Sequence, residues 1–109
     1  MSLVSIDDFK KIELRTAKIL KAEELPGADR LWKLFVDVGT EQKTIVAGIK
    51  LHYPAPDQLV GKSIVVLNNL QPAVIRGVES NGMLLAAKSE AVLTLLILDK
   101  DVPPGSVIG

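Results

Sequence analysis

The stretch from residue 68 to residue 87, NNLQPAVIRGVESNGMLLAA, gathers side chains whose types could bind the backbone of a folded nucleic acid. Arg76 offers a planar guanidinium to a phosphate, and Ser80 and Asn81 can hydrogen-bond phosphate or 2′-hydroxyl oxygens. Met83 supplies a soft apolar surface for a base or a ribose. Such a set would recognise shape rather than base sequence.

Two glycines, Gly77 and Gly82, could position these side chains, because glycine adopts the positive φ angles that tight turns require. The segment between them would then make a tight excursion that holds Ser80 and Asn81 outward. The alternative is that the glycines only frame a turn, with the arginine a solvated edge charge and the methionine in the core. The residues alone leave both interpretations open.

The remaining residues offer little to catalysis. The chain has no cysteine, which excludes disulfides, thiolate zinc sites and a cysteine nucleophile. Its one histidine, His52, lies in a proline-rich connection, where a solvated loop residue is the expected role rather than a general base. The acidic pairs lack the spacing of a calcium loop or a two-metal site. We therefore predict a protein that is not an enzyme and uses no cofactor and no metal.

Composition predicts one soluble domain over residues 1–109, rich in strands. Apolar residues make up 48% of the chain and aromatic residues only 4%, so the core is expected to consist mainly of Val, Ile and Leu. Thirteen basic and 13 acidic residues leave a net charge of zero, so any anion-binding patch must be local. Residues 10–50 hold such a surplus, with nine basic and six acidic side chains. No apolar run approaches the ~18 residues of a membrane span, and we expect a cytoplasmic protein.

The pattern along the chain predicts a short helix and then a series of strands. Ser5 is a candidate N-cap for a helix over residues 6–11, and a long, bent or bulged strand is expected from Glu13 to Glu24. A hairpin is predicted from Leu31 to Ile49. One helical turn fits PDQLVG, strands fit SIVVLN, GMLLAA and LTLLILD, and the tail DVPPGSVIG suits a short edge strand. This order favours a small β-barrel such as the five-stranded OB-fold, with a β-sandwich as the alternative.

Alternation along residues 31–38 separates a core face from an outer face. Trp32, Leu34 and Val36 fall on the first face, together with Val38. Phe35 falls on the second, beside Lys33, where it could stack a base next to a phosphate contact. The alternative is that Phe35 packs under a loop or a partner subunit.

The blocks SIDDFKKIELRTAKIL, LPGADRLWKLFVDVG, KTIVAGI, LVGKSIVVLNNLQP, IRGVESNGMLLAA and DKDVPPGSVI, taken in order, resemble the tRNA-binding domain of methionyl-tRNA synthetases and of stand-alone tRNA-binding proteins. The resemblance covers residues 6–108. It implies an OB-fold with a C-terminal extension, structure-specific binding to tRNA, homodimerisation, and action with or as part of a methionyl-tRNA synthetase. The tRNA-binding residues predicted on this basis are Arg30, Lys33, Asn69, Arg76, Ser80, Asn81 and Met83.

Other features qualify this prediction. Relatives often have NLKPRKLRG where this chain has NLQPAVIRG, so the basic patch is thinned and weak tRNA binding is expected. An export-related, peptide-binding chaperone with the same fold is the alternative function, although it lacks the RGVESNGM segment. An assembly scaffold that dimerises without binding RNA is a third possibility. The continuous apolar run LTLLIL at 93–98 supports dimerisation, because a small barrel would cover only one of its faces.

Overall fold

The computed structural model describes residues 1–109. A single α-helix, ten strands and one 3₁₀ turn make up its regular structure. The elements are α1 (Ile6–Phe9), β1 (Leu14–Leu25), β2 (Ala28–Asp37), β3 (Gln42–Ala47), the 3₁₀ turn (Pro56–Gln58), β4 (Ser63–Leu67), β5 (Ala73–Ile75), β6 (Val78–Ser80), β7 (Met83–Leu84), β8 (Ala86–Lys88), β9 (Leu93–Leu95) and β10 (Val107–Ile108). No helix has the length and apolar character needed to cross a membrane.

The main sheet is antiparallel and has the strand order β3-β2-β1-β4-β7, with β10 added to β1. Strand β1 organises this sheet, because its first half pairs with β4 and its second half pairs with β2. The pairing register shifts between Ile19 and Lys21, where Leu20 forms the predicted bulge and lets the long strand bend. Two separate hairpins, β5–β6 and β8–β9, extend from the sheet.

The two ends of the strand order approach each other without pairing as strands. The backbone N–H of Asn81 donates to the carbonyl of Thr44 at 2.8 Å, and the backbone N–H of Val46 donates to Ser80 Oγ at 3.0 Å. These bonds attach the end of β6 and the residue that follows it to the free edge of β3. The prediction of an all-β fold with a short helix is confirmed. The strands as paired leave the sheet open, so the five-stranded barrel stays a prediction.

The predicted core face of β2 is correct. Trp32, Leu34, Val36 and Val38 are all buried, with exposed fractions between 0 and 4%. They pack with apolar side chains of β1, β3 and β4 and with Leu59, which follows the 3₁₀ turn. The buried indole of Trp32 donates to the backbone carbonyl of Tyr53 at 2.7 Å, so its N–H is satisfied.

Three elements differ from their predicted bounds. The helix ends at Phe9 rather than at residue 11, although its predicted cap is confirmed because Ser5 Oγ accepts from Asp8 N at 3.0 Å. GMLLAA forms two short strands, β7 and β8, rather than one. LTLLILD pairs as a strand only over Leu93–Leu95, and the following Leu96 and Ile97 are 40% and 60% exposed.

The C-terminal tail explains why Thr16 is buried beside Ala17, although alternation would place them on opposite faces of β1. Thr16 Oγ1 donates to the carbonyl of Pro103 and accepts from the backbone N–H of Ser106, both at 3.0 Å. The tail therefore covers the outer face of β1 and then pairs with it as β10, the short edge strand that the sequence predicted.

Candidate nucleic-acid interface

The candidate interface begins with the β5–β6 hairpin, whose tip is the two-residue turn Arg76-Gly77. Ile75 pairs with Val78 across this turn, and φ is 52° at Arg76 and 77° at Gly77. Two positive φ angles are what a two-residue hairpin turn of type I′ requires, so the turn matches the twist of the flanking strands. The expected excursion between Gly77 and Gly82 is wrong: the projecting element is the hairpin over 73–80, and Arg76 is its tip.

The hairpin tip lies against the turn that joins β1 to β2, and the two form a cleft of about 380 Å³. The cleft is lined by Gly27, Ala28, Asp29, Arg30, Leu31 and Arg76. The guanidinium of Arg76 lies close to Gly27, where a Cβ would be 3.9 Å from its Nη1 atom. Two predicted binding residues from distant parts of the chain, Arg30 and Arg76, thus line one cleft. Two guanidinium forks in one cleft suit an anion such as a phosphate.

Three of the predicted binding residues, Arg30, Lys33 and Arg76, form no ion pair. The five ion pairs of the chain are Lys11–Asp8, Arg15–Glu13, Lys21–Glu23, Lys43–Glu41 and Lys50–Glu24. None of them includes Arg30, Lys33 or Arg76, so no carboxylate oxygen lies within 4 Å of their charged nitrogens. The positive charge at these three positions is therefore available to a ligand.

Lys33 lies on the outer face of β2 beside Phe35, as predicted. Its Nζ is 5.2 Å from the centroid of the Phe35 ring, and Lys21 Nζ on the neighbouring strand is 5.7 Å from the same centroid. Lys21 also donates to Glu23 at 2.9 Å. This hydrogen bond, with smaller contributions from the positive charges of Lys21 and Lys33, lowers the pKa of Glu23 below its ordinary value of 4.5.

Asn69, a predicted binding residue, uses both of its side-chain polar groups within the chain. Its Oδ1 accepts from Glu13 N at 2.9 Å, and its Nδ2 donates to the carbonyl of Lys11 at 2.7 Å. Asn69 therefore ties the segment after β4 to the segment before β1. Contact between its side chain and tRNA stays a prediction.

The expected orientation of Ser80 is wrong. Ser80 is only 5% exposed, and its Oγ points inward to accept from Val46 N, so it does not project outward. Asn81 is half-buried, and its backbone N–H bonds to β3. Met83 is 45% exposed, which resolves the open question of its burial in favour of the surface.

Sequence reasoning missed the hairpin tip itself. The letters VIRGV contain the signal, since a two-residue turn ending in glycine between β-branched residues is typical of a tight hairpin. Arginine is an unusual choice for the first turn position, and Arg76 is the one residue other than glycine with positive φ.

A second polar cluster lies where β1 begins. Glu13 Oε1 accepts from Asn68 Nδ2 at 2.9 Å and from Arg15 Nε at 3.1 Å, and these bonds, the first being the larger cause, lower the pKa of Glu13. Arg15 also donates to the carbonyl of Gly105 at 3.2 Å. The cluster thus holds the C-terminal tail against β1.

No group of three or more His, Cys, Asp or Glu side chains is arranged to hold a metal ion.

Comparison with known proteins identifies the family. Residues 14–107 match the model of the family described as "Putative tRNA binding domain". The methionine–tRNA ligase of Thermotoga maritima is 52% identical over 105 residues, which is 96% of this chain and 16% of that ligase. This chain therefore corresponds to a small part of a much longer relative.

Solved structures agree in fold. A protein of Pyrococcus horikoshii described as related to methionyl-tRNA synthetase is 37% identical, superposes with a TM-score of 0.94, and is matched over the full length of both chains. The chaperone CsaA of Bacillus anthracis is 27% identical with a TM-score of 0.88, over 99% of this chain and all of that one. With the family match spanning most of its length, this chain belongs to the tRNA-binding domain family.

Proposed function

We propose that residues 1–109 act as one non-catalytic tRNA-binding domain, which works in the cytoplasm with or as part of a methionyl-tRNA synthetase. One observation carries the proposal: Arg30 and Arg76, from separate parts of the chain, line the same cleft without a carboxylate partner. The family match and the likeness to methionine–tRNA ligases support tRNA as the ligand.

The cleft would recognise the tRNA backbone. A guanidinium binds phosphate oxygens through two parallel hydrogen bonds, and two guanidinium groups on different elements fix the orientation of the phosphate between them. Phosphate contacts position a nucleic acid without reading its sequence. Lys33, the exposed Met83 and the half-buried Asn81 extend the contact surface, whereas Ser80 holds the segment that carries Asn81 and Met83.

We further propose that the main sheet forms an OB-fold barrel, in which the segment Ser80–Leu84 closes the gap between β3 and β4. The two hydrogen bonds from this segment to β3 support that closure. OB-folds bind oligonucleotides with the loops after their first and fourth strands. The cleft lies between the β1–β2 turn and the insertion that follows β4, which is the corresponding position.

A homodimer is proposed as the working form, because large apolar side chains are exposed near the chain's start and at its last long apolar run. Leu3, Val4 and Ile6 are 65 to 94% exposed, and Leu96 and Ile97 are 40% and 60% exposed. Large apolar side chains that face water are covered at interaction surfaces, and a partner subunit would cover these.

A peptide-binding chaperone is the weaker alternative. CsaA shares the fold, but its identity of 27% is about half that of the Thermotoga ligase. The cleft of this chain also presents two arginines against one aspartate, and this positive surplus suits a phosphate backbone better than an apolar peptide.

Filter binding tests the choice between the two. Folded tRNA, single-stranded RNA of equal length and a set of unfolded peptides are titrated against the parent protein and against the Arg30→Ala, Arg76→Ala double variant. We expect the parent to prefer tRNA and the double variant to lose most of that binding. Preference for peptides, or full tRNA binding by the double variant, would overturn the proposal.

A further inference from the structure

The dipeptide Asn81-Gly82 combines an asparagine with the residue that most readily attacks its side chain. The chain has three asparagines, Asn68, Asn69 and Asn81, and only Asn81 precedes a glycine. The backbone nitrogen of a following residue can attack the side-chain amide carbon of asparagine, and glycine hinders this attack least because it has no Cβ. Among its asparagines, the chain therefore favours loss of the side-chain amide at Asn81.

Hydrogen bonds hold the other two asparagine side chains but not that of Asn81. Asn68 Nδ2 donates to Glu13 Oε1 at 2.9 Å, and Asn69 bonds through both its Oδ1 and its Nδ2. The side chain of Asn81 forms no hydrogen bond with the protein, and the residue is half-buried, so part of it faces water. Its amide group is therefore free to turn toward the nitrogen of Gly82.

The attacking nitrogen is also without a partner. Gly82 is buried between β6 and β7, and its backbone N–H donates to no backbone or side-chain acceptor of the protein. Most buried N–H groups in proteins are paired, so a buried amide usually loses a hydrogen bond when its nitrogen reacts. At Gly82 the reaction breaks no hydrogen bond of the fold.

We propose that Asn81 is a site of spontaneous deamidation, which weakens tRNA binding as it proceeds. The Gly82 nitrogen transfers its proton to hydroxide and forms a bond to Cγ of Asn81, while the bond between Cγ and the side-chain nitrogen breaks. That nitrogen takes up a proton from water and leaves as ammonia, which regenerates the hydroxide. Water then opens the cyclic imide at either carbonyl and leaves an aspartate or an isoaspartate. Water is the only co-reactant, and either product adds one negative charge.

The added negative charge acts against the proposed function, on which this consequence rests. Asn81 lies between Ser80 and Met83, in the segment proposed to extend the contact surface for the tRNA backbone. The chain has no net charge and its proposed interface depends on few free cations, so one carboxylate removes a large part of the local positive surplus. Deamidated molecules should therefore bind tRNA more weakly than unmodified ones.

Isoaspartate also disturbs the sheet, because it lengthens the main chain by one carbon–carbon bond, about 1.5 Å. The main chain is fixed on both sides of this change: the N–H of Asn81 donates to the carbonyl of Thr44 at 2.8 Å, and Met83 pairs with Leu67 of β4. Gly82 has little room between them, since an added Cβ would lie 3.0 Å from the Leu67 carbonyl oxygen. The longer chain must therefore break one of these attachments.

Peptide mass spectrometry tests the reaction without reference to RNA. The folded parent is incubated at neutral and at mildly alkaline pH and digested with trypsin, which places Asn81 in the peptide 77–88 and the other two asparagines in the peptide 63–76. We expect peptide 77–88 to shift by the mass difference between an amide and a carboxylic acid, faster at alkaline pH, while peptide 63–76 keeps its mass. Asn81→Gln, whose longer side chain forms the ring far more slowly, should keep both masses. Equal conversion of both peptides, or conversion only after unfolding in urea, would overturn the assignment.

Titration with tRNA before and after incubation tests the consequence, with each protein compared with its own starting affinity. The parent should lose affinity as peptide 77–88 converts, and Asn81→Gln should hold its starting value. Asn81→Asp should bind more weakly than Asn81→Gln from the start. Full affinity in converted parent protein would overturn the effect on binding. A parent that binds no tRNA before incubation contradicts the proposed function instead, and the peptide masses still decide the site of deamidation.

Discussion

Arg76 has a strained backbone conformation at the tip of the β5–β6 hairpin. Its φ of 52° is costly for a side chain with a Cβ, and its exposed side chain supports no core. We predict that Arg76→Gly raises the free energy of unfolding by up to about 1 kcal/mol, because glycine relieves the strain. The same change should weaken tRNA binding by about 1 to 3 kcal/mol, the scale of a lost hydrogen bond to a charged group.

Urea denaturation and tRNA titration of Arg76→Gly measure the two effects separately. Lys100→Ala is the matched control, because it also removes one exposed positive charge but lies outside the cleft. We expect the control to bind tRNA nearly as the parent does. Equal loss in both variants would mean that only net charge matters, and no loss in Arg76→Gly would reduce the hairpin to a simple turn.

Ser80 was expected to be a ligand contact, and its geometry now predicts a structural effect. Its Oγ accepts from Val46 N at the edge of β3, where the residue is 5% exposed. Ser80→Ala should lower the free energy of unfolding by about 1 kcal/mol, since the Val46 N–H loses its partner. Ser89→Ala, which removes an exposed hydroxyl with only local hydrogen bonds, should leave the urea midpoint unchanged. Equal midpoints for both variants would contradict this role.

At the scale of elements, the strand pattern was predictable and the loop geometry was not. Alternation placed Trp32, Leu34 and Val36 in the core because the side chains of a strand point to opposite faces in turn. The burial of Thr16 beside Ala17 could not be read in this way, because it depends on the distant C-terminal tail. The cleft could not be predicted from the sequence either, because it forms only when the hairpin brings Arg76 to the β1–β2 turn.

Gly82 lies between Asn81 and Met83, in the segment that runs along the edge of the sheet. Its φ is 122°, and a Cβ there would lie 3.0 Å from the carbonyl oxygen of Leu67. We predict that Gly82→Val lowers the free energy of unfolding by about 1 to 3 kcal/mol through backbone strain, and weakens tRNA binding with it. Melting curves and tRNA titrations measure both effects.

A glycine with positive φ and open space separates the two causes of this effect. Gly61 has a φ of 90° and no heavy atom within 4 Å of an added Cβ. Gly61→Ala should therefore show only the cost of the backbone angle, while Gly82→Ala should show that cost together with crowding. If the two alanine variants lose the same amount of thermal stability, crowding by the Leu67 carbonyl plays no part. A Gly82→Val variant that keeps full tRNA affinity would separate this segment from the interface.

At the scale of the whole molecule, the exposed apolar side chains bear on the oligomeric state. Ile97 is 60% exposed beside β4, with which it forms a single bridge to Ile64. We predict a homodimer in sedimentation equilibrium, and a shift toward monomer in Ile97→Lys, because a buried lysine without a partner is unfavourable at an interface. Val74→Lys, at an apolar position on the hairpin that is 73% exposed, is the control and should remain dimeric. A parent protein that is monomeric at high micromolar concentration would exclude the dimer.

The dependence of binding on salt reports how many cations meet the RNA. The chain has no net charge, so a long-range field cannot hold tRNA, and the free cations of the proposed interface are Arg30, Lys33 and Arg76. Each phosphate contact contributes about 0.7 to 0.9 to the slope of log K against log salt, so we predict a slope of about −2 to −3. The Arg30→Ala, Arg76→Ala double variant should retain a slope of about −1, as expected for one remaining contact. A parent slope near zero would point to an apolar peptide site. A parent slope twice as steep would mean that the RNA also contacts cations beyond the cleft and the outer face of β2.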